Sequence, residues 1–247
     1  MQLNSLPGNE VRPATDQGGV VRLGQNVTLY HADCLDMLPT LAAGSVDAVV
    51  TDPPYGISVQ HDDGKMGGWS KDTKRWANQI NPAYAVFEGD DKPIDPAPLL
   101  RLGRKHIIWG GNFVADKLPP ERGWLTWYKR IKGQQNDHGD SELAWTDLGC
   151  VPRTFQHLWM GMLRDSERGE HWHPTQKPVA LMRWCIEMLN LQPGDTICDP
   201  YMGAGATGVA AVQMGYNFIG IERTHHYFAI AQRRIAEAQA QMPLFQL

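Results

Sequence analysis

Apolar positions along the chain recur with two spacings. Short runs, alternating or continuous, occur at 27–31, 46–50, 106–109, 124–129, 142–146, 157–160, 196–198 and 217–221, and each predicts a strand. Helical spacing governs 179–190, 206–214 and 225–240, with shorter helical stretches at 34–44 and 96–102. Strands that alternate with helices require a mainly parallel sheet covered on both faces, so the fold class is α/β. Residues 1–25 have no period and contain Pro7, Gly8, Pro13, Gly18 and Gly19, which predicts a partly disordered arm. Segments 56–92 and 130–141 are polar and irregular. Loops of that length inside a compact domain are usually functional. The expected organisation is one domain over 26–240 with these two insertions, followed by a tail at 241–247.

Composition narrows the classes. At 247 residues, 42% hydrophobic and 20% charged, the chain has the balance of a globular protein with a sizeable core. No apolar run is long enough to cross a bilayer and the N-terminus lacks a secretory pattern, so a cytoplasmic protein is expected. Cys34, Cys150, Cys185 and Cys198 form no C-x-x-C pair. His31, His106, His138, His157, His225 and His226 show no ligand spacing either, and no metal is expected. The net charge of −4 argues against a uniformly basic surface but leaves room for a local positive groove.

Two stretches carry chemistry. Asp52-Pro53-Pro54-Tyr55 follows the predicted strand 46–50, and its prolines stop both strand pairing and an immediate helix. A carboxylate, a stiff carbonyl and an aromatic face are thereby delivered together, a grouping that suits a planar nitrogen base. The second stretch, Asp199 to Gly208, lies between a strand and a helix and contains G-x-G-x-x-G from Gly203. That pattern alone is weak, because tight strand–helix packing explains many such glycines. Glu222, about 20 residues on, supplies the acid that accepts from ribose hydroxyls. Too few strands follow for a dinucleotide-binding half, so the sheet must be assembled in permuted order. Asp199 would repel a diphosphate but can hold an ammonium, and a helix N-terminus favours a carboxylate. An amino-acid-bearing nucleoside, S-adenosylmethionine, meets both needs.

Together with His173-Pro174-Thr175-Gln176-Lys177-Pro178, these motifs resemble the β class of DNA amino-methyltransferases, in which the catalytic block precedes the cofactor block. The departures are Tyr201, where phenylalanine is usual, and a short region for target recognition. The resemblance implies a class I methyltransferase (Rossmann-like) fold, a mixed and mainly parallel sheet with permuted motif order. It implies that Asp52 and the Pro53 carbonyl accept the two N–H bonds of the target amine while Tyr55 stacks on a base flipped out of the duplex. It also implies cofactor contacts from Asp33, Thr175, Lys177, Asp199, Tyr201, Gly203, Gly205, Thr207 and Glu222, with Thr175 and Lys177 at the methionine end. Asp33 serves equally well as a helix N-cap. No Pro-Cys pair is present, as carbon-5 cytosine methylation would demand.

Adenine N6 is the expected target. Cytosine N4 is the nearest alternative, although those enzymes usually carry serine in place of Asp52. A nucleic-acid-binding protein without activity and a methyltransferase for protein glutamine amides are further alternatives. DNA, double-stranded, is the expected partner of a monomer or homodimer. Lys65, Lys71, Lys74 and Arg75 in the first insertion, and Arg130, Lys132, Gln134, Gln135 and Asn136 in the second, are the candidate DNA contacts. In the tail, Gln241, Leu244 and Phe245 resemble the short motif by which bacterial DNA-processing proteins dock on the replication sliding clamp. The same two apolar residues could instead fold back on the protein's own core.

Overall fold

The computed structural model describes residues 19–56, 90, 92–131, 139–160, 163–169 and 171–241. The tail beyond Gln241 and most of both insertions lie outside the described residues, and with them Lys65, Lys71, Lys74, Arg75, Lys132, Gln134, Gln135, Asn136, Leu244 and Phe245.

Among the described residues, nine strands form one sheet: β1 (Val20–Leu23), β2 (Val27–His31), β3 (Ala48–Thr51), β4 (His106–Trp109), β5 (Trp124–Tyr128), β6 (Ser141–Thr146), β7 (Arg153–Gln156), β10 (Thr196–Asp199) and β11 (Asn217–Glu222). A separate hairpin pairs β8 (Trp159–Met160) with β9 (Leu163–Arg164). The large sheet runs β1-β2-β11-β10-β3-β4-β6-β5-β7. Its centre, from β2 to β4, is parallel; β1 and β6 pair antiparallel with their neighbours β2, β4 and β5.

Helices α1 (Cys34–Met37), α2 (Ala97–Leu102), α3 (Val179–Leu189), α4 (Ala206–Gln213) and α5 (His225–Ala240) cover the sheet on two faces. Strand alternation decides which face each residue meets. Ala48, Val50, Ile107 and Trp109 pack toward α3, α4 and α5, whereas Val49 and Ile108 pack with Leu38, Leu99 and Leu102 on the opposite side. The apolar runs read as buried strands are therefore buried on both faces. Each such side chain removed from water contributes roughly 1.5–3 kcal/mol.

The structure departs from the sequence expectation at the edges. Residues 20–23 belong to the sheet and not to a disordered arm, because Val20 to Leu23 pair in register with Val27 to Tyr30 across the Gly24 turn. The strand expected at 157–160 is split: β7 ends at Gln156, and Trp159–Met160 joins the small hairpin. Helix α1 is shorter than 34–44 because Pro39 turns the next residues, Leu38–Thr40, into a 3₁₀ turn. Among the described residues no helix is long and apolar enough to cross a membrane.

Gly208 shows how closely α4 is fitted. A methyl group there would lie 2.5 Å from Ile235 Cδ1 and 2.6 Å from Phe218 Cε1. Alanine gains about 1 kcal/mol of helix propensity over glycine, but overpacking a core costs about 1–3 kcal/mol. Because the Phe218 ring cannot swing aside, the clash should prevail. Gly208→Ala is expected to lose about 1 kcal/mol in urea unfolding. Equal or greater stability would show that the helices separate freely.

Candidate active site

The sheet's order places β10 between β11 and β3, so connections leave in opposite directions on either side of its carboxyl end. Crevices at such points bind ligands in open α/β sheets. Here the crevice is a cavity of about 560 Å³, within the range of small-molecule sites. Asp33, Asp52, Thr175, Lys177, Asp199, Tyr201, Gly203, Thr207 and Glu222 all line it. Residues from opposite ends of the sequence thus meet there, whereas Pro53 and Tyr55 of the expected catalytic set are not among its lining.

The glycine turn is built first. Gly203 has φ +48° and Gly205 φ +80°, a region open to glycine at little cost. Gly205 lies outside the cavity wall, however. A Cβ there would come within 3.0 Å of Ala231, so this glycine serves the packing of α4 on α5 and not ligand contact. Asp199 ends β10 and is 3% exposed. Its carboxylate accepts from the Thr51 hydroxyl (2.7 Å), the Thr207 hydroxyl (2.6 Å) and the Tyr201 amide (3.1 Å). Thr207 therefore acts by orienting Asp199.

Glu222 accepts from the amides of Gly203 (3.1 Å) and Thr224 (2.7 Å), tying the end of β11 to the glycine turn. Burial raises its carboxyl above the ordinary range. Asp33 caps α1 by accepting from the Leu35 amide at 2.9 Å, and it also lines the cavity. Arg223 pairs with it at 3.6 Å.

The catalytic candidate Asp52 stands just beyond β3. Its Oδ1 accepts from the Tyr55 hydroxyl at 2.7 Å, and its Oδ2 from Lys177 Nζ at 2.5 Å. Lys177 also bonds Glu142 Oε2 at 3.0 Å, and Lys129 bonds Glu142 Oε1 at 2.5 Å. Burial pushes Asp52 upward, opposed by Lys177. Burial would raise Glu142 too, but Lys177 and Lys129 override it and hold its carboxyl down at about 2. Lys177 thus lies beside the catalytic candidate Asp52 as well as on the cavity wall. Tyr55 stacks on Phe113 with ring centroids 4.9 Å apart, so one of its faces is already occupied.

Arg130 also needs correction. It is 5% exposed, with Nε 3.2 Å from Asp140 and bonded to the Gly139 carbonyl, so it anchors the ends of the second insertion instead of offering a free contact. Glu142 was missed by the sequence reading, because its partners lie far away in the chain. The one available signal was an acid at the head of a strand whose residues 144–146 are apolar or small. His173, quoted in a motif but given no role, lines the cavity and accepts from the Thr175 amide at 3.2 Å. Burial, aided by Lys177, lowers it to about 3, so it is neutral.

Burial pushes the Asp199 carboxyl from 3.8 up to about 6 in spite of its three donors. Folding thus favours its protonated form, and the stability so gained is complete below the unfolded value and lost as pH rises through 6. Asp199→Asn, neutral throughout, is expected to exceed the wild type by up to about 3 kcal/mol near pH 7.5. That advantage should close toward about pH 4. Urea unfolding across this range checks it. A difference independent of pH would mean that Asp199 is ionised in the fold without cost.

Comparison with known proteins bears on this geometry. A family profile for DNA methylases matches residues 105–233. The chain is 27% identical over 220 residues to YubD of Escherichia coli (strain K12), covering 86% of this chain and 91% of that one. It is 26% identical over 245 residues to the DNA adenine methyltransferase YhdJ of the same organism, covering 84% and 82%. Among solved structures, TTHA0409 of Thermus thermophilus complexed with S-adenosyl-L-methionine has a TM-score of 0.53 at 16% identity, covering 88% of this chain and 97% of that one. The cytosine-N4-specific PvuII DNA methyltransferase also gives 0.53 at 16% identity, covering 88% and 92%. The structural likenesses establish the class I methyltransferase fold. With the profile spanning more than half of its 247 residues, the chain belongs to the DNA methylase family.

Proposed function

We propose that this DNA methylase transfers a methyl group from S-adenosylmethionine to N6 of an adenine flipped out of duplex DNA. The observation that carries the reading is the meeting of Asp52 with the Asp199 glycine turn on one cavity. The cavity's residues suit the cofactor. Asp199 offers a carboxylate for an ammonium, the amides of the glycine turn favour a carboxylate, and Glu222 and Asp33 can accept from hydroxyl and amino groups. S-adenosylmethionine, when bound, supplies an electrophilic methyl on a sulfonium.

The protein's own part is orientation. The lone pair of a nucleobase amine is delocalised into its ring. Asp52 and the Pro53 carbonyl accept its N–H bonds and turn the nitrogen toward tetrahedral geometry. Asp52, raised by burial, can then take the proton that the alkylated nitrogen must lose. Adenine is favoured over cytosine because an aspartate stands at position 52. The DNA adenine methyltransferase YhdJ aligns over most of the chain, whereas the cytosine-specific PvuII enzyme shares the fold.

Asp52→Ala should lower methyl transfer by on the order of 10²-fold or more, with cofactor binding by calorimetry near wild type. Lost cofactor binding in a folded Asp52→Ala protein would place the residue in the wrong site. Long-read sequencing of DNA from a host expressing the protein should show modified adenines at one sequence; modified cytosines would replace the reading with the N4 reaction.

We further propose that the 56–92 and 130–141 insertions read the DNA, and that the tail docks on the replication sliding clamp through Gln241, Leu244 and Phe245. Surface plasmon resonance on purified bacterial clamp should give binding that Phe245→Ala abolishes. Equal signals from both proteins, or none from either, would end the docking idea.

A further inference from the structure

Lys177 is 7% exposed and spends its three N–H bonds on Asp52 Oδ2, Glu142 Oε2 and the Tyr55 hydroxyl oxygen, the last at 3.2 Å. A lysine serving only a bound cofactor has no reason to lie between two carboxylates of the catalytic end. Glu142 fixes its direction. Held from the other side by Lys129, Glu142 keeps the Lys177 ammonium beside Asp52 Oδ2, and both Asp52 and Lys177 line the cavity. The result is a hydrogen-bond acceptor and a donor side by side, 2.5 Å apart.

That pair has a complement. The Watson–Crick edge of an amino base presents an N–H donor next to a ring-nitrogen acceptor: N6 and N1 of adenine, or N4 and N3 of cytosine. Guanine and thymine present the reverse order, a carbonyl next to a ring N–H. Enzymes that act on a flipped base read it along this edge.

Resting on the methyl-transfer reading above, we propose that Lys177 reads the target base. While Asp52 accepts from the exocyclic amine, the Lys177 ammonium donates to the neighbouring ring nitrogen, and Glu142 is its positioning residue. The bond given up is the one to the Tyr55 hydroxyl, the longest of the three. Tyr55 keeps its own donation to Asp52. A keto base then meets carbonyl against carboxylate and N–H against ammonium, and both contacts repel. Amino bases are thus selected before chemistry begins.

The test measures binding, so that it does not depend on turnover. Full-length protein with S-adenosylhomocysteine is titrated with a duplex carrying the sequence found by sequencing host DNA. The target base stands opposite an abasic site, so that flipping breaks no pair. Adenine is compared with 1-deazaadenine, which lacks only the ring acceptor; if cytosine proves to be the target, the analogue is 3-deazacytosine. A hydrogen bond from a charged donor is worth roughly 10- to 150-fold in affinity, so the wild type should bind the analogue at least about tenfold more weakly.

Lys177→Met with Glu142→Gln removes one charge of each sign and should bind both duplexes equally. Glu142→Gln alone should narrow the gap. If circular dichroism shows the double variant unfolded, the wild-type and Glu142→Gln comparisons decide. Equal binding by the wild type overturns the proposal, as does full discrimination by either variant. Methylation of the natural duplex is measured separately. A protein that methylates it but ignores the deaza change refutes only the role of Lys177, whereas one that methylates neither base refutes both readings.

Discussion

The site depends on the cost of burying charge. Asp52, Lys177, Glu142 and Lys129 form a chain of alternating sign, with links of 2.5, 3.0 and 2.5 Å. No member can leave without stranding a neighbour in a poorly solvated place, and breaking such a pair from one side costs about 3–5 kcal/mol. The chain's members come from the loop after β3, the strand β6, the end of β5 and the segment before α3. Four pieces of backbone are therefore pinned to one another by electrostatics around the catalytic candidate Asp52. A purely apolar contact there would be easier to stabilise, but it would tolerate sliding. Hydrogen-bonded charges do not.

A second buried linkage holds the other wall. Arg234 on α5 donates to the Ala204 carbonyl of the glycine turn at 2.7 Å and pairs with Glu167 at 2.8 Å. Glu167 in turn accepts from the Gln176 side chain and from the Val179 amide at the start of α3. The glycine turn and the segment carrying Lys177 are thus referred to one helix. Motif order along the chain then matters little. Because the sheet collects the carboxyl ends of β3, β10 and β11 at one edge, a catalytic block that precedes the cofactor block reaches the same cavity.

What was legible in the sequence was whatever a short stretch determines by itself. The central strands and long helices follow from apolar period, and the Asp52, Lys177 and Asp199 motifs announce themselves through prolines and glycines that few other contexts need. What was illegible depends on partners far apart. Nothing near Glu142 in the chain tells that Asp52 and Lys177 will converge on it. Arg130 looked like a surface cation in a polar loop because its partner Asp140 lies at the loop's far end. The edge strand β1 escaped because it is short and half exposed, so its alternation is faint; only pairing with β2 makes it a strand.

The charges also resolve an ambiguity that the glycine pattern leaves open. A G-x-G-x-x-G turn before a helix is as much a diphosphate cradle as an amino-acid cradle, since both use the amides and the helix N-terminus. Here the acids Asp33, Asp52, Asp95, Asp199 and Glu222 line the cavity, against Lys92, Lys177 and Arg223. Lys177 is already committed to Asp52 and Glu142, and Arg223 lies 3.6 Å from Asp33. Burial raises Asp199, Asp52 and Glu222 alike, Asp52 in spite of Lys177 and Glu222 in spite of Arg223. An incoming diphosphate would add to that excess of acids, whereas a ligand carrying an ammonium and a sulfonium offsets it. The glycines shape the turn, but the acids around them choose what it holds.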